Sequence, residues 1–356
     1  MMRKMEVSPT RDNIDISARD QWLDKLWSYL FDGNSGGLMS PGQIRREHRD
    51  RERVRQIEMA TILEAEKEIN GIHSGRKTID ASGNLIDTPP IDTVATHQII
   101  ENTSIDQDLD LGLDTPAAMI RSVVKELSVR DLERSLNVRK IAILAESEIL
   151  DCEIQPVSSL PVNAEWMVRW RESAENVFNP ELQLLWARTL AQEVATPGSY
   201  SLGLMATLKQ LNLNDLEMVR IISMYAFPDF IYTADSYFNT DYHRSLFEVM
   251  EDLGLVMGHS SNKCLSSESD TDFNLILFCN NKALQISANQ PTKELILPVL
   301  KLSRIGRQLF PLCGNNADLA YLFDLAGYVK KQGFQVALGD WEIIGRRGYF
   351  VERMNY

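Results

Sequence analysis

Asn163 to Gln210 reads NAEWMVRWRESAENVFNPELQLLWARTLAQEVATPGSYSLGLMATLKQ, and its spacing decides the centre of the fold. Trp166, Trp170, Ala174, Val177 and Phe178 recur at intervals of three and four, which puts them on one helix face. Leu182, Leu185, Trp186, Leu190 and Val194 repeat the pattern. Asn179 suits the N-cap of this second helix, with Pro180 at its first position, where a missing N–H costs nothing. Thr196-Pro197-Gly198 stops it. Ser199 or Ser201 caps a third helix, with Leu202, Met205, Leu208 and Leu211 on its buried stripe. Large aromatic residues at helical spacing predict a packed helical core. The segment holds no catalytic signature.

Working outward, 356 residues suffice for two or three domains with a large core. A composition of 44% hydrophobic and 24% charged residues is that of an ordinary globular chain. No apolar run reaches the roughly 18–20 residues that span a bilayer. The N-terminal MMRKMEVSPTRDNIDIS lacks the apolar stretch of a secretory signal, so a cytoplasmic protein without a membrane span is expected. Cys152, Cys264, Cys279 and Cys313 are far apart, with no CxxC or Cys/His pair, which argues against a disulfide framework or structural zinc. Each reads as a small buried hydrophobe or a free thiol.

The net charge of −13 is uneven, because Thr78 to Thr115 carries eight acidic residues and no Lys or Arg. An acidic chain is not drawn to phosphate backbones, which weighs against nucleic acid as a partner. The basic exception is 301–356, with eight Lys/Arg against five Asp/Glu; there Lys301, Arg304 and Arg307 are the candidate nucleic-acid contacts.

Five segments follow. Residues 1–39 form a flexible N-terminus with one short amphipathic helix, QWLDKLWSYLF, whose Trp22, Leu23, Leu26, Trp27 and Leu30 line one side. Residues 40–70 form a charged helix with seven basic and seven acidic residues, either a solvated spacer laced by i,i+4 pairs or half of a short coiled coil. Its apolar positions Ile44, Val54 and Ile57, together with Trp22 and Trp27, are the candidate partner-binding residues. Residues 71–115 read as an acidic linker. Residues 116–211 read as a helical domain, with a break between two helices at Arg130 to Asn137. Residues 212–356 change to mixed α/β: a helix capped by Asn214, a strand at Phe230 to Tyr232, and a helix over Asp241 to Leu253. A loop over Ser260 to Asp272 follows, then a hairpin of Phe273 to Phe278 with Leu284 to Ser287. Next come a strand at Leu295 to Leu300, a helix from Leu302, another over Ala317 to Gln332, and short strands at 334–338 and 341–344. The fold class is therefore an α-rich α+β protein. It has an N-terminal helical segment with coiled-coil capacity, a central helical bundle and a C-terminal winged-helix-like α/β domain.

The phrase LW…LA.E…PGS[FY]SL…L, here Leu185-Trp186, Leu190-Ala191, Glu193, Pro197 to Leu202 and Leu208, resembles an uncharacterised bacterial family, domain of unknown function 2806. The likeness extends to Pro41-Gly42-Gln43-Ile44-Arg45-Arg46, to Leu253-Gly254-Leu255 and to Leu302-Ser303-Arg304-Ile305-Gly306-Arg307-Gln308-Leu309, over residues 40–70 and 117–310. The resemblance implies a bacterial origin and brings no catalytic residue or cofactor.

Function is less legible. The five histidines (His48, His73, His97, His243, His259) show no HxH, HxxxH or HExxH spacing, and neither GxSxG nor a phosphate loop after a strand occurs. The first expectation is an interaction or regulatory protein that acts through protein partners and forms a homo-oligomer, with no cofactor. The second is a winged-helix DNA-binding regulator, opposed by Asp241, Glu248, Glu251 and Asp252 on the would-be recognition helix. The third is an enzyme with an unrecognised site. Glu193 and Asp241-Tyr242-His243 are its thin support; Glu193 reads more simply as a solvated or cap-paired carboxylate, and Asp241-Tyr242-His243 as a capping cluster.

Overall fold

The computed structural model describes residues 16–31, 48–80, 85–88, 116–151, 158–233, 238, 240–267, 271–344 and 347–355. It is a helix-rich α+β fold that divides into two compact units. One holds the described parts of 1–37, 144–173 and 179–356; the other holds those of 38–143 and 174–178.

The first described element of the smaller unit is α2 (His48–His73); α1 (Ile16–Phe31) belongs to the larger unit. A short hairpin follows, β1 (Lys77–Ile79) against β2 (Leu85–Asp87), inside the stretch read as linker. Lys140 Nζ donates to Glu66 Oε1 at 3.0 Å and His73 Nε2 meets Glu133 Oε1 at 2.9 Å. Positions 66 and 73 thus meet 140 and 133, so α2 runs antiparallel to α3 (Pro116–Asp151), whose residues to Ile143 belong to this unit. Ile62 and Ile69, seven apart on one face of α2, are buried. The expected break at Arg130 to Asn137 does not exist: α3 is continuous, since that stretch holds neither Gly nor Pro to stop it.

The larger unit has a helical half made of α1, the end of α3, α4 (Ala164–Ala174), α5 (Pro180–Ala195), α6 (Leu202–Gln210) and α7 (Leu213–Ser223). Asn179 caps α5 as expected, accepting from the N–H groups of Glu181 and Leu182. Ser201, not Ser199, caps α6, and Asn212, not Asn214, caps α7 in a reciprocal box with Asp215. Helix α4 stops at Ala174, four residues before Phe178, which is 61% exposed and not on the buried face. The residue preceding Asn179-Pro180 lies in a stretch that must turn extended to present the cap. On α6, Leu202 is exposed while Leu204 is buried in its place.

The sheet half follows in chain order: β3 (Phe230–Tyr232), α8 (Asp241–Asp252), β4 (Val256–Leu265), β5 (Phe273–Cys279), β6 (Lys282–Ala288), β7 (Leu295–Leu302), α9 (Arg304–Leu309), a 3-10 turn (Phe310–Cys313), α10 (Leu319–Lys331), β8 (Gln335–Ile344) and β9 (Arg347–Asn355). Two antiparallel sheets result, ordered β3-β7-β4 and β5-β6-β8-β9. The hairpin β5–β6 is as read, but β7 pairs Ile231↔Leu300 and Val256↔Leu302 instead of extending it. The loop expected from Ser260 is β-strand to Leu265, and β9, unread in the sequence, pairs with a β8 that is one strand rather than two. The polar residues of these strands hid them, because half-exposed strands carry polar side chains on their open face.

Candidate functional site

The residues of the sequence phrase converge on one knot in the larger unit. Glu193, 1% exposed, accepts hydrogen bonds from the N–H groups of Gly198 at 2.6 Å and Tyr200 at 2.9 Å. A buried carboxylate on the last turn of α5 thus folds the PGSY loop back on its own helix. Burial raises its pKa above the ordinary 4.5, against the lowering pull of the backbone N–H groups of Gly198, Tyr200 and Ser199. Trp166 Nε1 donates to Tyr200 O at 3.0 Å, and Trp170 Nε1 donates to Trp186 O at 3.2 Å. From the far side, Gln308 on α9 donates through Nε2 to Ser199 O at 2.7 Å and accepts from Ser201 Oγ at 2.7 Å. Ser303 caps α9 and donates to Gly254 O at 2.6 Å. A Cβ on Gly306 would lie 2.2 Å from Leu255 O, so only glycine allows α9 to meet the LGL turn. These groups hold backbone; none is presented to a substrate.

A cleft of about 680 Å³ opens beside this knot, lined by Phe227, Phe278, Asn281, Arg307, Asn316 and Trp341 among others. Its wall is built by the two-residue turn Asn280-Asn281 between β5 and β6, where Cys279 pairs with Lys282. Asn280 takes φ 52°, a left-handed conformation that Asn tolerates better than most residues. Its Nδ2 donates to Ser223 O at 2.8 Å, while Asn281 Oδ1 accepts from Ala317 N at 3.0 Å and Asn281 O from Trp341 N at 2.9 Å. Phe278 and Trp341 stack with centroids 4.8 Å apart and planes at 7°. The indole packs over Gly348, where a Cβ would fall 1.8 Å from Trp341 Cζ2. Trp341 Nε1 is buried and has no hydrogen-bond partner among the described residues.

The residues singled out from the sequence are dispersed. Trp22 and Trp27, expected at a partner surface, are 3% and 7% exposed. Their indoles donate to Ala191 O at 3.2 Å and Glu146 Oε2 at 3.1 Å, so α1 docks inward and offers neither ring to a partner. Ile57 is 57% exposed on α2. Ile44 and the side chain of Val54 lie outside the described residues. Lys301 is the last residue but one of β7, Arg304 opens α9 and Arg307 follows one turn on; all are exposed, and of the three Arg307 alone lines the cleft. The capping expected of Asp241-Tyr242-His243 falls to the residue before them: Thr240 is the N-cap of α8, its Oγ1 accepting from His243 N at 3.2 Å, while Asp241 pairs with Arg244 at 2.9 Å. Cys279 and Cys313 are buried, their thiols pushed up to about 12 and about 11 by desolvation, whereas Cys264 is exposed. Cys152 lies outside the described residues. Among the described residues no three His, Cys, Asp or Glu side chains are grouped to hold a metal ion. No described helix is long and apolar enough to cross a membrane.

The cleft itself escaped sequence reading, since its walls come from segments over 100 residues apart. The one local signal was Asn280-Asn281 between two apolar runs, a hairpin turn by composition.

Residues 125–226 match the family described as a protein of unknown function, DUF2806. The match covers the Trp-rich helices, Glu193 and the PGSY loop, the part of the resemblance that the knot explains. No curated protein and no solved structure matches the chain.

Proposed function

We propose that this chain is a non-catalytic interaction or regulatory protein of the cytoplasm that self-associates through α2 and acts through protein partners. The observation that carries this reading is the exposed side of α2. Ile57, Ala60 and Leu63 follow one another at intervals of three, with Ile57 at 57% and Leu63 at 44% exposure, while Ile62 and Ile69 are buried. An apolar strip on a helix otherwise covered by charge is the geometry that a second helix covers. One face of α2 is taken by α3 within the chain, and the strip on its other side is the surface for a second copy. With Trp22 and Trp27 turned inward, Ile57 is the one candidate partner-binding residue among the described side chains that supports self-association.

Light scattering of the full chain tests it. The expected result is an oligomer that Ile57→Glu with Leu63→Glu weakens at least about tenfold, since each apolar side chain brought out of water is worth about 1.5–3 kcal/mol. A monomer at all accessible concentrations would sink the reading.

A second reading, a winged-helix DNA-binding regulator, has support in the strand order β3-β7-β4 with α7 before β3 and α8 between β3 and β4. Two features set it apart: the β5–β6 hairpin of the other sheet interrupts the wing, and α8 exposes Asp241, Glu248, Glu251 and Asp252. Acidic groups there repel a duplex, and a basic protein surface suits them better. Selection from random duplex DNA near 150 mM salt is expected to return no motif bound tighter than about micromolar. A defined motif bound at nanomolar strength would put this second reading first.

A further inference from the structure

We propose that the cleft between the β5–β6 turn and α9 binds a nucleotide, with its base among Phe278, Trp341 and the asparagine amides and its phosphate on Arg307. This goes beyond the protein-interaction reading and does not depend on it. At about 680 Å³ the cleft falls in the size range of small-molecule sites, about 300–1,000 Å³. Its wall offers polar groups that the fold leaves unanswered. Asn280 uses Nδ2 on Ser223 O and Asn281 uses Oδ1 on Ala317 N, which leaves the Oδ1 acceptor of the first and the Nδ2 donor of the second without a protein partner there. A donor and an acceptor on neighbouring amides are what the edge of a nucleobase requires. The paired rings of Phe278 and Trp341 add an aromatic surface on which any base stacks. A purely apolar occupant would bury these polar groups without satisfying them.

The charge argument is independent. In the same unit Arg188, Arg220, Arg244, Lys263 and Lys282 each hold a carboxylate. Lys301, Arg304 and Arg307 are exposed and have none among the described residues. In a chain of net charge −13, a guanidinium without a counter-charge in the wall of a cleft, Arg307 with Arg304 one turn before it on α9, marks a place for an anion. A guanidinium meets a phosphate with paired donors, which assigns the phosphate to Arg307, the one of the three that lines the cleft. The base and phosphate can belong to a free mononucleotide or to a single strand.

Calorimetric titration of the full-length chain with AMP, adenosine, inorganic phosphate and a short single-stranded oligoadenylate tests the assignment. AMP is expected to bind with a Kd of about 1 mM or tighter, and more tightly than adenosine or phosphate alone. Arg307→Ala, at an exposed position, should weaken AMP at least about tenfold and leave adenosine unchanged. Phe278→Leu should weaken AMP and adenosine alike, with the tryptophan emission of both variants confirming the folded state. Equal affinity for AMP and the oligonucleotide identifies the free nucleotide as the source; an oligonucleotide bound more than about tenfold tighter identifies the strand. No binding of AMP or the oligonucleotide at about 5 mM overturns the proposal, as does AMP binding that neither variant alters.

Discussion

Trp186→Ala is expected to destabilise the larger unit by about 3–5 kcal/mol, the largest effect of any single substitution considered. Trp186 is 1% exposed on the buried face of α5. Its ring meets Trp170 edge-on with centroids 6.5 Å apart, a geometry that contributes beyond the area buried. Truncation leaves a cavity under a second tryptophan whose Nε1 is tied to the backbone of residue 186 itself, so Trp170 cannot swing in to fill it. Trp186→Phe keeps a ring and should lose about 1–2 kcal/mol. All six tryptophans belong to the larger unit, so urea unfolding followed by tryptophan emission reports that unit alone. An unchanged midpoint in Trp186→Ala would contradict the packing described.

Glu193→Ala comes second, with an expected loss of about 2–4 kcal/mol, because two peptide N–H groups lose an acceptor at about 1–3 kcal/mol each. Glu193→Gln separates shape from charge. The amide oxygen can accept from one of Gly198 and Tyr200, but its NH2 then faces the other donor, and the loss should be about 1–3 kcal/mol. A pH series adds a signature that packing alone does not give. Burial raises the carboxyl's pKa in the folded chain, so between the ordinary value of 4.5 and the raised value the folded state holds more protons than the unfolded one. Stability then falls as pH rises through that window, and the contribution is complete below it. Glu193→Gln has no proton to exchange, so the gap between wild type and variant should widen in favour of wild type on acidification through the window. A gap that narrows instead would show that the carboxylate is more stable folded than unfolded, contrary to the burial seen.

Glu193 also shows how far a sequence carries. Its place on an apolar helix turn, three residues before the Thr-Pro-Gly stop, pointed to a solvated or cap-paired carboxylate; it is not solvated, at 1% exposure, and pairs with the N–H groups of Gly198 and Tyr200 in the loop beyond. The same local logic found Asn179 and Pro180 at the start of α5 but missed Thr240, which caps α8 ahead of the Asp241-Tyr242-His243 read there. It failed at Asn212, one of two asparagines close enough to cap α7, where the reciprocal box with Asp215 decides between them. It failed again for the cleft, because Phe278, Arg307 and Trp341 carry no mark of being neighbours until β6, β8 and α9 are in place.

What depends on neighbours within a few residues was legible before folding: the helices at three-and-four spacing, the Asn179-Pro180 start of α5, the β5–β6 hairpin, the charge imbalance and the family phrase. Tertiary structure alone decided which face was buried and which strands paired. Trp22 and Trp27 looked like an unpartnered stripe, and their indoles found Ala191 and Glu146 over 100 positions away. Strand β7 was legible only as a further strand after the hairpin, and its two edges pair with β3 and β4 in a separate sheet. The physical reason is that periodicity fixes only that a face is apolar. What covers the face is settled by burial summed over distant segments, whose free energy is invisible in any one of them.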